Sequence, residues 1–448
     1  MQLLQPGIAP RHLMLARADL ETKIRERSAK LGVIGLGYVG LPLAVEMASA
    51  GFSVTGIDID GAKVNSINAG RSYLNDVTGD SLLPLVRKGL LRATQSFAAI
   101  TTLDTVTICV PTPLRKTKDP ELSYVIAAVE AVRHHLRPPQ LVILESTTYP
   151  GTTREAVLPI LRKSGLEVGQ DFFLAYSPER VDPGNKIYKT RNIPKVIGGF
   201  TERCAALAIL LYQQLVEKIV LVSSTEAAEM VKLLENTFRS VNIALANEMA
   251  LVCHKFGLNV WEVIDAAQTK PFGFMPFYPG PGLGGQCIPI DPYYPTWKAK
   301  MHGFEPRLIQ VAAMINGQMP EFTVSQIADA LNKNKKSLNG SRVLALGITY
   351  KRDVIDTRES PALEVVRILM EKGSSVSYSD PFVPSITVGE EVLLSVALNP
   401  EVLQAADCAV ILTDHSAFDY SAIAADSALV LDCRNALKDF PGHNVMCL

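Results

Sequence analysis

The stretch KLGVIGLGYVGLPLAVEMASAGFSVTGIDID at residues 30–60 decides the fold of this chain. A short apolar run leads into the glycine-rich turn GLGYVG at 35–40, a helical pattern ends at Gly51, and a second apolar run ends at Asp58. Strand, glycine turn, helix and strand form the start of a dinucleotide-binding βαβ unit. Such a turn also occurs in α/β proteins without a cofactor, but the acidic residue 23 positions after Gly35 favours a nucleotide site.

Each glycine of this turn has a physical role. Gly35 allows the tight turn, Gly37 lets a pyrophosphate approach the backbone, and Gly40 lets the helix pack on the strand. The helix N-terminus then offers free N–H groups and its dipole to the phosphates. Asp58 can accept hydrogen bonds from the ribose hydroxyls of adenosine and repels a 2′-phosphate, for which Ile59 supplies no compensating charge. We therefore expect NAD, not NADP, as the cofactor.

The rest of the chain divides by its patterns. Strand candidates near 105–111, 141–147, 171–178 and 195–199 alternate with helical stretches, which indicates a mostly parallel sheet. From about 223 the pattern becomes helical, because Ser223 and Glu226 have capping-box spacing and helical patterns continue to 257, over 259–268 and over 305–333. Strand–helix alternation returns at about 337. We predict an α/β fold in which two Rossmann-like doubly wound domains, 30–222 and 337–448, flank a central all-helical domain, 223–336, with residues 1–29 as an N-terminal extension.

Composition excludes several classes of protein. The 448 residues are 48% apolar and 20% charged with a net charge of −1, which excludes disorder and argues against general nucleic-acid binding. No apolar run is long enough to span a membrane, and the N-terminus lacks the apolar stretch of a secretory signal. The seven cysteines are scattered without a CxxC motif, so we expect neither disulfides nor a metal site. A reducing, cytoplasmic location fits best.

One loop carries a candidate nucleophile. The segment GGQCIPID at 284–291 places Cys287 four positions before Asp291. A thiolate is a strong nucleophile, and a neighbouring carboxylate can activate it or a water molecule. The alternative is that Cys287 is a small buried hydrophobic residue, as lone cysteines often are; the glycines around it favour the reactive interpretation.

A polar stripe lies on the long predicted helix. Lys232, Asn236 and Arg239 are spaced i, i+4, i+7, which places them on one face. Spacing alone favours a solvated face. The alternative is a binding face, in which a lysine and an amide stabilise negative charge that develops on an oxygen.

Several motifs in this order resemble a known family, the UDP-glucose/UDP-mannuronate dehydrogenase superfamily of nucleotide-sugar 6-dehydrogenases. They are GLGYVGLPLA, VPTP at 110–113, EST at 145–147, SPER at 177–180, KLLENTFR at 232–239, GPGLGGQCIPIDP at 280–292 and TYKRDVIDTRESPA at 349–362. The resemblance runs from about residue 30 to the end. It implies an N-terminal NAD domain, a central helical domain that holds substrate and dimerises, and a C-terminal UDP-binding domain. It also implies an oxidoreductase that oxidises C6 of a UDP-sugar twice, with two NAD, to a carboxylate.

The resemblance also implies roles for individual residues. Cys287 would attack the C6 aldehyde to give a thiohemiacetal and then a thioester, which water hydrolyses. Lys232 and Asn236 would stabilise the oxyanion, while Asp291, Glu179 and Thr147 would manage protons and water. The implied substrate contacts are Arg180, Val181, Lys232, Asn236, Arg239, Gly284, Lys351 and Arg352. The implied cofactor contacts are Gly35, Gly37, Tyr38, Val39, Gly40, Asp58, Lys63, Thr112 and Thr147.

Two departures narrow the resemblance. Ile290 stands where UDP-glucose dehydrogenases have the lysine of C-x-P-K-D, and PERVDPGN replaces their P-E-F-L. Both resemble the branch that acts on UDP-N-acetylhexosamines, and the CIPIDP and DPGN segments are most similar to UDP-N-acetylglucosamine 6-dehydrogenases. UDP-N-acetylmannosamine, UDP-N-acetylgalactosamine and UDP-glucose stay open as substrates. The resemblance further implies a homodimer or higher homo-oligomer whose product enters surface polysaccharide (capsule or lipopolysaccharide) synthesis.

Two other functions compete with this one. A simple two-electron dehydrogenase would release one NADH per substrate, and Cys287 would then be structural. A catalytically silent nucleotide sensor would keep the fold and bind NAD without turnover. The simultaneous presence of Cys287, Lys232, Asn236 and Asp291 argues against the silent protein.

Overall fold

The computed structural model describes residues 19–74, 77–115, 117, 119–182, 185, 187–285 and 287–448. Most of the predicted extension, two residues of the DPGN segment and Gln286 of the nucleophile loop lie outside the described residues. The chain forms two compact units. One runs to Glu235 and includes Tyr293–Gly303, and the other comprises Asn236–Pro292 and Phe304–Leu448.

The first unit is built on an eight-stranded sheet of order β3-β2-β1-β4-β5-β6-β7-β8. All neighbouring strands are parallel except β6 and β7, so the predicted mostly parallel sheet is confirmed. The order reverses beside β1, which opens a crevice at the carboxyl ends of β1 and β4 where dinucleotides bind. The strands are β1 (Lys30–Ile34), β2 (Ser53–Ile57), β3 (Leu91–Thr94), β4 (Thr105–Ile108), β5 (Gln140–Leu144), β6 (Phe172–Tyr176), β7 (Lys195–Gly199) and β8 (Ile219–Leu221).

Helices cover this sheet, whose strands β4, β5 and β6 are buried along their whole length. Residues 19–25 are also helical, and Leu20 and Ile24 are fully buried in the core of this unit. The end of the predicted extension is therefore part of the domain. The helices are α1 (Gly40–Ser49), α2 (Gly61–Asn68), α3 (Gly79–Arg87), α4 (Ser123–His135), α5 (Leu158–Arg162) and α6 (Glu202–Tyr212).

A helix of 32 residues, α7 (Thr225–Phe256), follows β8. Its first turn is capped by Ser224, whose Oγ accepts the N–H of Ala227 at 3.1 Å. The predicted cap at Ser223 is therefore wrong by one residue, and the Glu226 carboxylate pairs with Arg154 instead. Gly257 ends the helix as expected, with φ at +69° in the left-handed region that favours glycine.

The second unit begins with three packed helices: the C-terminal half of α7, α8 (Val260–Gln268) and α10 (Arg307–Lys333). Small residues of α7 allow close packing, since Ala250 contacts the cluster of Trp261 on α8 and Ala244 contacts Ala312 on α10. A helix that sequence analysis missed, α9 (Tyr293–Met301), lies between the helical stretches predicted at 259–268 and 305–333 and belongs to the first unit. Within the described residues, every helix is too short or too polar to span a bilayer.

The second unit ends in a five-stranded parallel sheet of order β10-β9-β13-β14-β15. This confirms the predicted second Rossmann-like sheet. An antiparallel hairpin, β11 (Ser385–Val388) and β12 (Glu391–Leu394), was not predicted. The sheet strands are β9 (Arg342–Leu346), β10 (Ser375–Ser379), β13 (Cys408–Ile411), β14 (Val430–Asp432) and β15 (Val445–Cys447), and the helices are α11 (Pro361–Glu371), α12 (Pro400–Ala405) and α13 (Tyr420–Asp426).

Candidate active site

The glycine turn of the first unit has the shape that a pyrophosphate requires. Gly35 has φ at +88°, and a Cβ on it would lie 2.6 Å from the carbonyl oxygen of Cys109. A Cβ on Gly40 would lie 1.8 Å from the carbonyl oxygen of Gly35. At Gly37, by contrast, none of the described atoms comes within 4 Å of an added Cβ, and none of the described side chains caps the first turn of α1. These residues therefore fit NAD, with the turn and the α1 N-terminus facing its phosphates.

Asp58 is buried and fixed at the end of β2. Its Oδ2 accepts the N–H of Leu36 at 2.8 Å, and its Oδ1 accepts the N–H of Asp60 at 2.9 Å. The Nζ of Lys63 lies 3.5 Å from Oδ2. A carboxylate has about four lone-pair positions, so with Lys63 counted about one remains for the ribose hydroxyls. Tyr38, beside this turn, is 43% exposed.

Helix α9 supports the loops that follow β4 and β5. The Tyr294 hydroxyl donates to the carbonyl oxygen of Thr112 at 2.6 Å. The Trp297 ring lies 4.9 Å from the ring of Tyr149, centroid to centroid. Both loops leave the carboxyl ends of their strands, and Thr147 is half-buried there. The predicted cofactor contacts of the first unit thus lie along one edge of its sheet.

Glu179 lies in a cluster of buried charges that sequence analysis missed. The Lys195 ammonium is 2.9 Å from Glu145 Oε2 and 3.2 Å from Glu179 Oε2. The Tyr212 hydroxyl donates to the other oxygen of Glu145. The only sequence signals were a lysine that starts an apolar strand and a glutamate that directly follows one.

Electrostatics gives the two glutamates different properties. Burial, together with the charge of Glu179, raises the pKa of Glu145. Burial would also raise the pKa of Glu179, but Lys195 and the N–H groups of Val181 and Arg180 outweigh it and lower that pKa. Those two N–H groups donate to Glu179 Oε1 at 2.7 and 2.6 Å. Glu179 is therefore the more acidic carboxyl group of the pair.

Arg180 is already paired. Its guanidinium is 2.6 Å from Glu235, and its Nη1 donates to the carbonyl oxygen of Pro194 at 2.7 Å. Val181 beside it is half-buried. Both remain predicted substrate contacts, and the ion pair shows what holds Arg180 in place.

The polar stripe of α7 changes character along the helix. Lys232 is only 9% exposed and Asn236 is half-buried, whereas Arg239 is exposed. The interpretation as a solvated face is therefore wrong at Lys232 and holds at Arg239. Lysine is rarely buried in proteins unless it is paired, so the burial of Lys232 favours a functional role.

The nucleophile loop lies in the second unit. Cys287 is exposed, in contrast to five other cysteines of the described chain, which are buried. The alternative of a buried hydrophobic Cys287 is therefore wrong. Its carbonyl oxygen accepts the N–H of Ile290 at 3.1 Å and of Asp291 at 2.7 Å, which forms a turn. Asp291 is 3% exposed, and its carboxylate accepts a hydrogen bond from the side-chain amide of Asn236. This contact ties the turn to α7.

Two glycines hold the loop against the segment after β9. A Cβ on Gly284 would lie 2.7 Å from Cβ of Tyr350, and Gly285, with φ at +91°, donates its N–H to the carbonyl oxygen of Arg358 at 3.1 Å. The same segment carries Lys351, which is half-buried, and Arg352, which is exposed and lies 3.3 Å from Asp414. The predicted Gly284, Lys351 and Arg352 thus lie in one part of the second unit.

Arg434 is a further cation that sequence analysis missed. It follows β14, its Nε donates to the carbonyl oxygen of Leu412 at 2.8 Å, and its Nη1 is 2.6 Å from where a Cβ on Gly280 would lie. Burial lowers its pKa. Nothing in the sequence around Arg434 marked it as a functional residue.

The second sheet also has a glycine turn after its first strand and an aspartate after its second, but there the aspartate is bonded only within the protein. Gly347 has φ at +80°, and Asp380 after β10 accepts the N–H of Ile348 at 2.7 Å and of Phe382 at 2.8 Å. Here a buried His415 also lies 3.1 Å from Asp380 Oδ2 through its Nε2. Protein donors therefore take the positions that Asp58 keeps open. Among the described residues, no group of three His, Cys, Asp or Glu is arranged to hold a metal ion.

Comparison with known proteins identifies one family over most of the chain. Three domains of one family match: the NAD binding domain at residues 29–216, the central domain at 226–318 and the UDP binding domain at 344–439. The chain belongs to the UDP-glucose/GDP-mannose dehydrogenase family. The sequence-based resemblance is confirmed, and the protein is an NAD-dependent nucleotide-sugar 6-dehydrogenase.

Several relatives of this family are similar over most of their length. A UDP-N-acetyl-D-mannosamine dehydrogenase of Pyrococcus horikoshii is 37% identical over 418 residues, which cover 92% of this chain and 97% of the relative. A UDP-N-acetyl-D-glucosamine 6-dehydrogenase of Pseudomonas aeruginosa is 38% identical over 359 residues, or 80% and 84% of the two chains. The solved structure of the Pyrococcus horikoshii UDP-D-ManNAc dehydrogenase superposes with a TM-score of 0.85 at 37% identity and covers 93% of this chain and 98% of that one.

Proposed function

We propose that this enzyme oxidises C6 of a UDP-N-acetylhexosamine, most specifically UDP-N-acetylglucosamine, to the uronic acid in two two-electron steps. The observation that carries the four-electron reaction is the exposed Cys287 on a turn whose Asp291 is buried and bonded to Asn236. The N-acetylhexosamine class is supported by Ile290 and by relatives named for UDP-N-acetylglucosamine and UDP-N-acetylmannosamine. The product would supply surface polysaccharide synthesis.

The covalent step accounts for the need to retain an aldehyde. In the proposed sequence, the Cys287 thiolate adds to the C6 aldehyde, and the tetrahedral adduct loses a hydride to become a thioester. Water then attacks the thioester carbonyl, the C–S bond breaks, and the thiolate is restored. Bound NAD supplies the hydride acceptor for each of the two oxidations. One alcohol, one water and two NAD⁺ thus give one carboxylate, two NADH and about three protons at neutral pH.

The neighbouring residues divide the remaining work. We assign oxyanion stabilisation to Lys232 and Asn236, since a buried ammonium and an amide are both hydrogen-bond donors. We assign proton transfer at the thiol and the attacking water to Asp291. Glu179, ionised and bonded through one oxygen to two backbone N–H groups, together with Thr147, would orient the water.

The two-electron alternative is tested by stoichiometry. Purified enzyme with limiting UDP-N-acetylglucosamine should release about two NADH per sugar, because the thioester forms only after the second hydride transfer. The same assay with UDP-N-acetylmannosamine, UDP-N-acetylgalactosamine and UDP-glucose ranks the substrates, and mass spectrometry identifies the acid. One NADH per sugar with an aldehyde or ketone product would refute the four-electron proposal, and a higher kcat/KM for another sugar would replace the substrate.

We also propose that the enzyme is a homodimer that associates through α7. Apolar residues recur along one stripe of this helix and are exposed, among them Leu234 at 65%, Leu245 at 55% and Phe256 at 71%. A monomeric protein rarely exposes a contiguous apolar stripe of this length. Light scattering should give twice the 48.7 kDa chain mass, and Leu245→Glu, unlike the control Glu248→Lys on the same helix, should lower it. A mass of one chain for the unaltered protein would contradict the proposal.

A further inference from the structure

The described charges of the first unit include one lysine enclosed by two carboxylates. The side chain of Lys195 is 5% exposed, that of Glu145 is fully buried, and that of Glu179 is 12% exposed. The Lys195 Nζ is within 3.2 Å of both carboxylates. Burial of ions costs free energy unless each is paired and hydrogen-bonded. This cluster lies at the edge of the sheet where the predicted cofactor contacts lie, which favours a functional role over a purely structural one.

The backbone fixes where Lys195 stands. Strands β6 and β7 pair antiparallel with Ala175 opposite Gly199 and Tyr176 opposite Gly198. Continued past the end of β6, this register places Lys195 opposite Glu179. The Ser177 hydroxyl supports the continuation, since it donates to the carbonyl oxygen of Val196 at 2.8 Å. Because β7 runs antiparallel to β6, its first residue, Lys195, lies at the edge of the sheet where β6 ends. A strand parallel to β6 would begin at the opposite edge.

We infer that Lys195 is a positioning residue, which holds the Glu179 carboxylate ionised and in one orientation, while Glu145 is the counter-charge that lets a lysine be buried there. The inference rests on the proposed role of Glu179 toward water. Two backbone N–H groups bind Glu179 Oε1 and Lys195 binds Oε2. Both oxygens are thereby fixed, and the remaining lone pair on Oε2 points in one direction, as a group that orients water requires.

The other groups around Glu179 do not replace Lys195. Burial raises the pKa of Cys109 and of Tyr212, so both are neutral near pH 7. The neighbouring Arg180 turns its guanidinium to Glu235 on α7. Among the described groups in contact with Glu179 Oε2, Lys195 supplies the positive charge.

Three variants test the inference through opposite pH shifts. Lys195→Met removes the cation, so kcat at pH 7 should fall about 10²-fold, and the acid limb of kcat against pH should move upward by about one unit or more. Glu145→Gln removes a repelling charge, so the same limb should move downward. Lys195→Arg keeps the cation and should restore most of kcat. The KM for NAD should change less than about threefold in all three.

Two controls separate positioning from folding. Lys23→Met makes the same change at a lysine that pairs with Asp104 in the same unit, and it should leave kcat and the acid limb unchanged. If Lys195→Met fails to fold, the double variant Glu145→Gln/Lys195→Met removes one charge of each sign and is compared with Glu145→Gln alone: its kcat should be lower and its acid limb should lie higher than those of that single variant. Folded variants with wild-type kcat and an unmoved acid limb would show that the cluster is structural only and would overturn the inference.

The design also distinguishes failure of the inference from failure of the proposed function. If the unaltered enzyme oxidises no UDP-sugar, the proposed function fails. Infrared difference spectra of wild type against Glu179→Gln then follow protonation of the same carboxyl without turnover. An upward shift of that titration in Lys195→Met supports the inference, and an unchanged titration overturns it.

Discussion

Asp58→Asn is the sharpest change for the cofactor site, because it removes one charge and almost no volume. A substitution of Asp58 by arginine would be less informative. It would remove the acceptors of both the Leu36 and Asp60 N–H groups, at 2.8 and 2.9 Å, and would therefore damage the turn itself. The asparagine oxygen keeps one of these bonds. The exposed Asp60 N–H can turn to water, so the free energy of unfolding should fall by only about 1 kcal/mol.

The effect on NAD should be larger. Asp58 keeps about one lone-pair position for the ribose hydroxyls, and a hydrogen bond to a charged acceptor contributes roughly 1.5–3 kcal/mol. Asparagine replaces one acceptor with a donor and makes the other neutral, so the expected loss is about 2–3 kcal/mol. That loss corresponds to a roughly 30- to 150-fold weaker Kd for NAD. NADP should weaken less, because the repulsion of its 2′-phosphate disappears.

Calorimetric titration with NAD measures the effect, and Asp380→Asn is the matched control. Asp380 makes the same backbone contacts after β10, to Ile348 and Phe382, but in the sheet of the second unit. Its NAD Kd should stay within about twofold of wild type. A Kd within about threefold of wild type for Asp58→Asn, or equal weakening by both variants, would refute the assignment of Asp58 to the ribose.

The remaining predictions concern catalysis and stability. Cys287→Ser should abolish steady turnover while NAD and UDP-sugar affinities persist, since a hydroxyl is a poor nucleophile at neutral pH; mass spectrometry should show at most a covalent sugar adduct, and wild-type turnover would exclude covalent catalysis. Lys232→Ala should lower kcat about 10²-fold or more with little change in NAD Kd; a kcat within a few-fold of wild type would make the lysine structural. Glu229 accepts hydrogen bonds from Gly151 and Thr153 at 2.6 and 2.8 Å, and burial raises its pKa from 4.5 to about 7. The raised folded-state pKa contributes stability that is complete below about pH 4.5 and is lost as pH rises through about 7. Between these pH values the free energy of unfolding of Glu229→Gln should therefore rise by about 3 kcal/mol relative to wild type. Amide exchange at Gly151 and Thr153 measures this difference, and the same pH dependence in both proteins would refute the prediction.

Features that depend on local chemistry were predictable from the sequence. The turn at 35–40 and Asp58 were found because a strand, three glycines and an acid at fixed spacing have one common use. The end of α7 at Gly257 was found because glycine commonly ends helices. Cys287 was found as a candidate because its loop is rich in glycine.

Features that depend on long-range pairing were not predictable from the sequence. Lys195 is distant from Glu145 in sequence, and only the antiparallel register of β6 and β7 brings it to the carboxyl edge. Helix α9 was missed because its first residues, Tyr293-Tyr294-Pro295, continue a loop-like composition, although Tyr294 is fully buried. The burial of Lys232 could not be read from spacing, since an i, i+4, i+7 stripe does not say what covers it.

Acids that follow buried strands look alike in sequence, but the number of protein donors they receive separates them. Asp380 accepts N–H groups on both oxygens and contacts buried His415, so it stabilises its own loop. Asp58 accepts two N–H groups and the Lys63 ammonium and keeps a lone pair for a ligand. Glu179 has both oxygens fixed but is half-buried at the sheet edge, so it can orient one small molecule. Each protein donor occupies a lone pair that could otherwise accept a hydrogen bond from a ligand. The count therefore indicates a functional role for Asp58 and Glu179 and a structural role for Asp380.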